Sequence, residues 1–364
     1  MTSPYAIGLS HFAPFGSRTY PRLFEALGTY EAIWQASYEQ LRSLHISEQT
    51  ANKFVEYRRQ VDLEKLVNNA RTLGIDTIDR DDVRYPAALK TIHDPPIILY
   101  VRGQVPNTDQ MIGIVGSRDA TTYGLKIARQ FANELSRAGL IVISGLARGI
   151  DLEAHAGAMA TGGKTIAVIA HGHEHLTGSK REFGEQIIKQ GGAVMTEQPP
   201  NMRAMDYHFP IRNRIIAGLS RGVLIVEAEI ASGTMHTAQA AINAHREVFA
   251  IPGQIDSPYS TGTNKLLQDG AHVTMSVNDV LLTLNLPAAK PAEPPVLVPA
   301  SVPEFEVELT SDQKLILANL SHVPIHVDEL CRVTNLSSSI ILGTLTILEI
   351  HGKVRPLGNM YYSL

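Results

Sequence analysis

The sequence predicts an α/β protein. A mainly parallel sheet forms its centre, a small helical module precedes it, and three helices with a β-hairpin follow it. Three observations carry this expectation. Between residues 76 and 286, short apolar runs of strand length alternate with amphipathic runs of helical period. Residues 1–75 show helical spacing of apolar residues. A Pro-, Ala- and Glu-rich stretch without apolar period, 287–305, reads as a semi-extended linker before a last compact pattern, 306–364.

In the first module, the spacing predicts helices over Tyr20–Leu27, Tyr30–Ser37, Ser47–Arg59 and Leu63–Leu73, joined near Gly16, Gly28 and His45. This resembles paired helix-hairpin-helix units of a SAM-like domain, whose glycine hairpins approach a DNA backbone. Gly16 fits that pattern, whereas His45 stands where a second glycine is expected. The module has no dense basic face, so it reads as structural or protein-contacting rather than as a DNA clamp.

Composition narrows the function classes. The formal net charge of -4 argues against a generally basic nucleic-acid coat, so any polyanion must meet a local cluster. The lone cysteine, Cys331, excludes an internal disulfide framework and a cysteine-based zinc site. The start, Met1-Thr2-Ser3-Pro4, lacks a basic-then-apolar leader, and no run is long enough to span a bilayer. A cytoplasmic location and no membrane partner are expected.

The core is expected to run through strands at Ile75–Ile78, Ile97–Val101, Ile112–Val115, Leu140–Ile143, Thr165–Ile169, Ala193–Thr196, Val223–Val226, Glu247–Ala250 and His272–Thr274. Helical patterns lie between them from about Thr122, and over Ile150–Thr161, Arg181–Gln190, Pro210–Ala217, Thr234–Ala244 and Asn264–Asp269. Two turns stand out, Gly116-Ser117-Arg118 and Ser144-Gly145-Leu146-Ala147-Arg148-Gly149-Ile150-Asp151. Each leaves the carboxyl end of a strand and enters a helix, the edge where open α/β sheets bind ligands. Glycine allows close approach, the serines offer hydroxyls, the helix start favours an anion, and arginine adds a phosphate-matched fork. The run Phe209–Ser220 places Arg212, Asn213 and Arg214 near a predicted helix start as an oxyanion clamp. Glu227, at the exit of a strand, reads as a base, a ribose contact or, preferably, the partner that orients Arg212 or Arg214. Ser232-Gly233-Thr234 opens another helix with hydroxyls aimed the same way.

The alternate histidines His171, His173 and His175 invite a metal reading, but no Cys and no nearby Asp pair completes a ligand set, so a polar loop is the default. There is no Walker A lysine loop, no G-x-G-x-x-G with its acidic partner and no nucleophile elbow. An edge rich in phosphate donors and without a nucleophile or a base pair fits binding better than catalysis.

In the last region, Ser311–Asn319, His326–Val333 and Ser337–Ile350 read as helices, and Val354–Tyr362 as a hairpin around Gly358-Asn359: a winged helix. Its third helix carries Ser337, Ser338, Ser339, Thr344 and Thr346 and almost no basic residue. Lys353 and Arg355 are the nearby wing charges. A protein contact is at least as well supported as a duplex contact.

These runs, with Tyr85-Pro86, Asp94-Pro95-Pro96, Leu99–Gly103, Ile251-Pro252-Gly253 and Gly262-Thr263-Asn264, occur in the order seen in the DNA-processing protein A (DprA/Smf) family, which the chain resembles over nearly its whole length. The resemblance implies an extended Rossmann-like core that dimerises, binds and protects single-stranded DNA, and helps load a RecA-type recombinase in natural transformation. It implies DNA contacts by Arg118, Arg148, Arg212 and Arg214. Where the family usually has a Gly-rich turn and a Tyr-Pro pair, this chain has His171–Leu176 and then Thr177-Gly178-Ser179-Lys180-Arg181, so Lys180 or Arg181 stands for the usual lysine. The expected DNA-binding set is Gly116, Ser117, Arg118, Ser144, Gly145, Arg148, Lys180, Arg181, Arg212, Asn213, Arg214, Ser232, Gly233 and Thr234. No catalytic residue, metal or cofactor is expected. The dimer surface is expected around Ser257–Val280. The rival reading is a Rossmann-like nucleoside monophosphate phosphoribohydrolase, of whose phosphate loop Ser232-Gly233-Thr234 is a partial echo.

Overall fold

A computed structural model describes residues 2–287, 310–321, 325–350, 354–358 and 360–363. The chain divides into two compact units, Met1–Pro291 and Ala292–Leu364. The predicted linker lies almost wholly outside the described residues, as does Lys353.

In the first unit the strands are β1 (Asp76–Asp79), β2 (Ile98–Gly103), β3 (Met111–Val115), β4 (Ile141–Ser144), β5 (Thr165–Val168), β6 (Ala193–Thr196), β7 (Gly222–Ile225), β8 (Glu247–Ala250) and β9 (His272–Val273). They form one sheet in the order β1-β2-β6-β5-β4-β3-β7-β8-β9. From β6 to β9 every pairing is parallel, while β2 runs antiparallel to β1 and β6. The chain winds outward from β3 through β4, β5 and β6, then returns to place β7 on the other side of β3. This is a doubly wound sheet, and the β3–β7 junction is its topological switch point.

Strand alternation explains why these runs are apolar throughout. Met111 and Val115 face one core with Ile143, Ile166 and Val223, while Ile112 and Ile114 face a second with Val142 and Leu224. Helices His208–Leu219 and Gly233–Asn243 cover the first face through Ile215, Ile216, Leu219, Ala238 and Ala241. Helices Thr122–Arg137, Ile150–Met159 and Val277–Thr283 cover the second through Phe131, Ala154 and Val280. A sheet buried on both faces has no polar side to leave in the sequence.

Residues 4–72 form the helices Pro4–Ser10, Gly16–Leu27, Tyr30–Gln35, Tyr38–Ser43, Glu48–Gln60 and Leu63–Thr72. Their aromatic core of Phe12, Phe15, Tyr20, Trp34 and Phe54 continues into Ile98 and Tyr100 of β2. Tyr100 is fully buried, and its hydroxyl lies 2.7 Å from Ser10 Oγ. Burial of such a ring contributes about 2–3 kcal/mol, so the helical start is anchored on the sheet. His45 adopts φ +58°, the left-handed turn that a glycine would take more easily; a side chain there costs about 1–2 kcal/mol. The helices Pro4–Ser10, Tyr38–Ser43, Ala87–Lys90 and Val277–Thr283 lie outside the expected runs, because four to seven residues give too little periodicity to read.

The second unit has helices Ser311–Ala318, Val327–Thr334 and Ser338–Ile350, with β10 (Ile325–His326), β11 (Arg355–Gly358) and β12 (Tyr361–Ser363) in the order β10-β12-β11, all antiparallel. Its core gathers Ile316, Val327, Leu330, Ile341, Leu345 and Leu348. The exposed side of the third helix shows Ser338, Ser339, Ile340, Thr346 and Ile347. The arrangement is a winged helix.

Candidate nucleic-acid interface

The carboxyl ends of β5, β4, β3 and β7 open into two adjoining clefts of about 310 and 370 Å³. The larger lies at the switch point and is lined by Gly116, Ser117, Arg118, Asp119, Asp151, Arg212, Asn213, Ser232, Gly233 and Thr234 among others. The smaller is lined by Gly145, Leu146, Arg148, Ile169, His171 and Lys180. Arg118, Ala147, Phe209 and Arg212 border both, so the clefts form one trough.

Tight backbone packing fixes the turn Gly116-Ser117-Arg118. Ser117 N–H donates to the Glu227 carbonyl at 2.8 Å, and Ile150 N–H donates to the Ser117 carbonyl at 3.3 Å. A side chain at Gly116 would collide with Ile150 and the Glu227 carbonyl. The Ser117 hydroxyl oxygen accepts from Asp119 N–H at 3.2 Å, which leaves its proton for a ligand. Arg118 is exposed, with its guanidinium carbon 5.0 Å from the centre of the Phe209 ring. That stacking fixes the cation between the two clefts without taking up its hydrogen bonds.

The second turn is built differently. Ser144 is fully buried, donates to the Ile114 carbonyl at 2.6 Å and lies within reach of the Asp151 carboxylate. Its hydroxyl therefore serves the fold, which corrects the expectation that it faces a ligand. Gly145 is needed because a Cβ there would stand 2.5 Å from Asp151 Oδ2 and 2.7 Å from the Arg212 guanidinium. Gly149, at φ +81°, lets the turn pass the Ser117 and Arg118 carbonyls. Arg148 is exposed and pairs with Asp119 at 2.6 Å.

The trio Arg212, Asn213 and Arg214 does not act as one clamp. Its helix begins at His208, two residues before the expected Pro210, and successive residues on a helix point about 100° apart. Arg212 is buried and donates to the Gly145 carbonyl at 2.8 Å and to the Val168 carbonyl. Burial pulls its pKa down to about 10, with Arg118 pulling the same way and Asp151 opposing. Asn213 Oδ1 accepts from Arg212 Nε at 3.2 Å, and its amide donates to the Gly233 carbonyl at 3.4 Å. Arg214 lies outside the trough, paired with Asp94 at 3.1 Å and Glu197 at 2.6 Å. Burial raises the Glu197 pKa, against the opposing pull of Arg214.

Glu227 orients neither arginine, contrary to expectation. Its carboxylate accepts from Thr121 N–H at 2.9 Å and from Thr121 Oγ1 at 2.6 Å, where the helix after β3 begins. Asp151 is the acid beside Arg212: burial raises its pKa, while Arg212 and the Ala147 N–H lower it. Lys180, the third residue of the helix Gly178–Lys189, is exposed at the trough, whereas Arg181 is exposed but lines neither cleft. Ser232 caps the helix Gly233–Asn243, yet its buried Oγ has no hydrogen-bond partner.

The three loop histidines face separate backbone carbonyls, with ring nitrogens 2.9 Å from Gly172 O, 3.0 Å from Tyr100 O and 2.8 Å from Asn201 O. Among the described residues, no group of three or more His, Cys, Asp or Glu is placed to hold a metal. Sequence reasoning missed Asp119, Asp151 and Phe209 as site residues. Phe209 and Asp151 stood inside quoted runs, but only the fold shows which cations they meet.

Comparisons with known proteins agree with this architecture. Residues 76–285 match the family model described as DNA recombination-mediator protein A, and residues 298–360 match the DprA winged helix domain. The chain is 38% identical to the DNA processing protein DprA of Bacillus subtilis over 221 residues, 60% of this chain and 74% of that protein. It is 32% identical to protein Smf of Synechocystis over 312 residues, 78% of each chain. The crystal structure of DprA from Streptococcus pneumoniae superposes with a TM-score of 0.66 at 30% identity, covering 77% of this chain and 98% of that one. DNA processing protein A from Helicobacter pylori, described for its single-stranded DNA binding mode, superposes at 0.52 with 27% identity, covering 58% and 95%. With its sheet matched almost end to end and its winged helix matched separately, the chain belongs to the DNA recombination-mediator protein A (DprA/Smf) family.

Proposed function

We propose that this protein binds single-stranded DNA along the trough, protects it and passes it to a RecA-type recombinase in natural transformation and recombination. The observation that carries the reading is Arg118, an exposed cation stacked on Phe209 between two clefts that also hold Ser117, Arg148 and Lys180. Such a row tracks a phosphate backbone and reads little sequence. The contact set reduces to Gly116, Ser117, Arg118, Arg148, Lys180, Asn213, Ser232, Gly233 and Thr234, with Gly145 and Arg212 shaping the wall. The similarity to the Helicobacter pylori protein supports the choice of a single strand.

The reading makes the protein a binder rather than an enzyme. Glu227 is engaged at Thr121 and Asp151 at Ala147 N–H and Ser144, which supports this over nucleotide hydrolysis. The protein acts in the cytoplasm as a homodimer through its core. Val273, Met275 and Leu282 are large, exposed and apolar around β9, an edge strand of the sheet, which supports that face as the dimer surface. Residues 1–75 and 306–364 serve as accessory modules. Among the described residues no single helix is long and apolar enough to cross a membrane.

One titration series tests the central reading. Fluorescence anisotropy with single strands, duplex of equal length and mononucleotides should rank the single strand tightest, with no mononucleotide turnover. Equal or tighter duplex binding, or turnover, would overturn it.

A further inference from the structure

We infer that Asp119 is a built-in competitor for DNA phosphate: its carboxylate occupies Arg148 across the trough and must yield that guanidinium to each incoming strand. The inference rests on the phosphate-trough reading and adds a residue that sets how tightly the trough grips.

The pair joins two different turns. Asp119 lines the cleft at the switch point, Arg148 lines its neighbour, and Arg148 Nη2 lies 2.6 Å from Asp119 Oδ1. Both side chains are 69% exposed, so the pair sits where a strand would run. Neither turn is loose. The Asp119 amide is held by Ser117 Oγ, and two residues later Thr121 is fixed by Glu227. The turn carrying Arg148 is pinned by Ala147 N–H on Asp151 and by the conformation of Gly149. The carboxylate therefore presents its oxygen to Arg148 much as a phosphate would.

The energetics fit a competitor rather than a lock. An ion pair this exposed stabilises the fold by about 0–1 kcal/mol, so a phosphate displaces it readily. Once displaced, the carboxylate remains beside the strand as a like charge. Both effects weaken binding, and both are strongest at low salt.

The test is a double-mutant cycle on the full chain with one oligo(dT), measured at several salt concentrations. Asp119→Asn should tighten binding at low salt, on the order of fivefold, the equivalent of one exposed charge pair. The gain should shrink as salt rises. In an Arg148→Ala background the same substitution should give much less. Glu64→Gln, which removes the same charge from an exposed position in the first turn of the helix Leu63–Thr72, should leave affinity unchanged. An equal gain from Asp119→Asn with and without Arg148 would overturn the competitor role and leave general repulsion. No gain, or weaker binding by a variant with unchanged melting temperature, would overturn it too. The trough reading fails separately, if the wild-type chain does not bind the oligonucleotide or if Arg118→Ala and Arg148→Ala both bind it as tightly as wild type.

Discussion

Glu227 and Thr121 tie the exits of the two central strands together. The carboxylate after β7 takes both the amide and the hydroxyl of the residue that caps the helix after β3, at 2.9 and 2.6 Å. Gly124 makes room for it, since a Cβ there would stand 2.3 Å from Glu227 Oε2. The turn Gly116–Arg118 lies between these anchors, so its shape depends on a contact between residues 106 apart in sequence.

Removing that anchor should cost stability first. Glu227→Ala loses two hydrogen bonds to a charged acceptor and leaves Thr121 N–H without its partner, which costs about 1–3 kcal/mol. Glu227→Gln keeps an acceptor and should cost less. Urea midpoints for the two variants check the order. A Glu227→Ala protein as stable as wild type would refute the anchoring role.

Arg118→Ala should behave in the opposite way. The side chain is exposed and packs on one ring, so the fold should hold. Single-strand affinity should fall about equally for all sequences, and the slope of log affinity against log salt should flatten by about 0.7. Titrations at four salt concentrations measure both. An unchanged slope would remove Arg118 from the phosphate path.

Arg212 and Arg214 should differ from Arg118, because both are buried against partners. Arg212→Ala removes the cation that offsets buried Asp151 and strands the Gly145 and Val168 carbonyls, and Arg214→Ala strands Glu197 and Asp94. Each should cost about 3–5 kcal/mol, the usual effect of leaving a buried charge alone. Among molecules that remain folded, Arg214→Ala should keep the wild-type salt slope. Thermal melts combined with binding titrations separate these outcomes.

Acid should unfold the protein partly through His155. This residue is fully buried, its Nδ1 lies 2.7 Å from Thr165 Oγ1, and burial pulls its pKa down to about 3. In the unfolded chain it protonates near its ordinary value of 6.5. Between these values the unfolded state binds a proton that the folded state does not. Its contribution to stability is therefore intact above about pH 6.5 and is lost as the pH falls toward 3. His173, down to about 4, acts in the same direction, whereas Asp151 and Glu197, raised by burial, act in the opposite one. His155→Leu should flatten the decline of the urea midpoint between pH 6.5 and 4. An identical decline in the variant would exclude His155 as a source.

Much of the fold was legible because strands buried on both faces are short apolar runs, and nearly every core strand lies within a residue or two of its expected place. The winged helix was legible for the same reason: Ile316, Leu330, Ile341 and Leu345 keep helical spacing around one small core. What blurred was local. The four-residue helix Ala87–Lys90 has too few residues to display a period, and the start of His208–Leu219 was displaced because Pro210 suggested a first turn that had already begun.

The sequence by itself determined that glycine turns bearing serine and arginine gather at one edge of a mainly parallel sheet, because turns that leave buried parallel strands for helices all open at the strands' carboxyl ends. Gly116, Ser117 and Arg118 followed from that placement, whereas Lys180 followed only from the family resemblance. Only the tertiary structure decided which charges remain available. Three consecutive residues, Arg212, Asn213 and Arg214, look equivalent in the sequence, yet the helix turns each toward a different neighbour. Arg212 meets the turn after β4 and the end of β5, Asn213 meets Gly233, and Arg214 meets Asp94 and Glu197. Glu227 likewise found Thr121 rather than an arginine. Whether an ionic side chain faces solvent, a ligand or a buried counter-charge depends on residues brought close by the chain's return across the sheet, and local sequence carries no record of them.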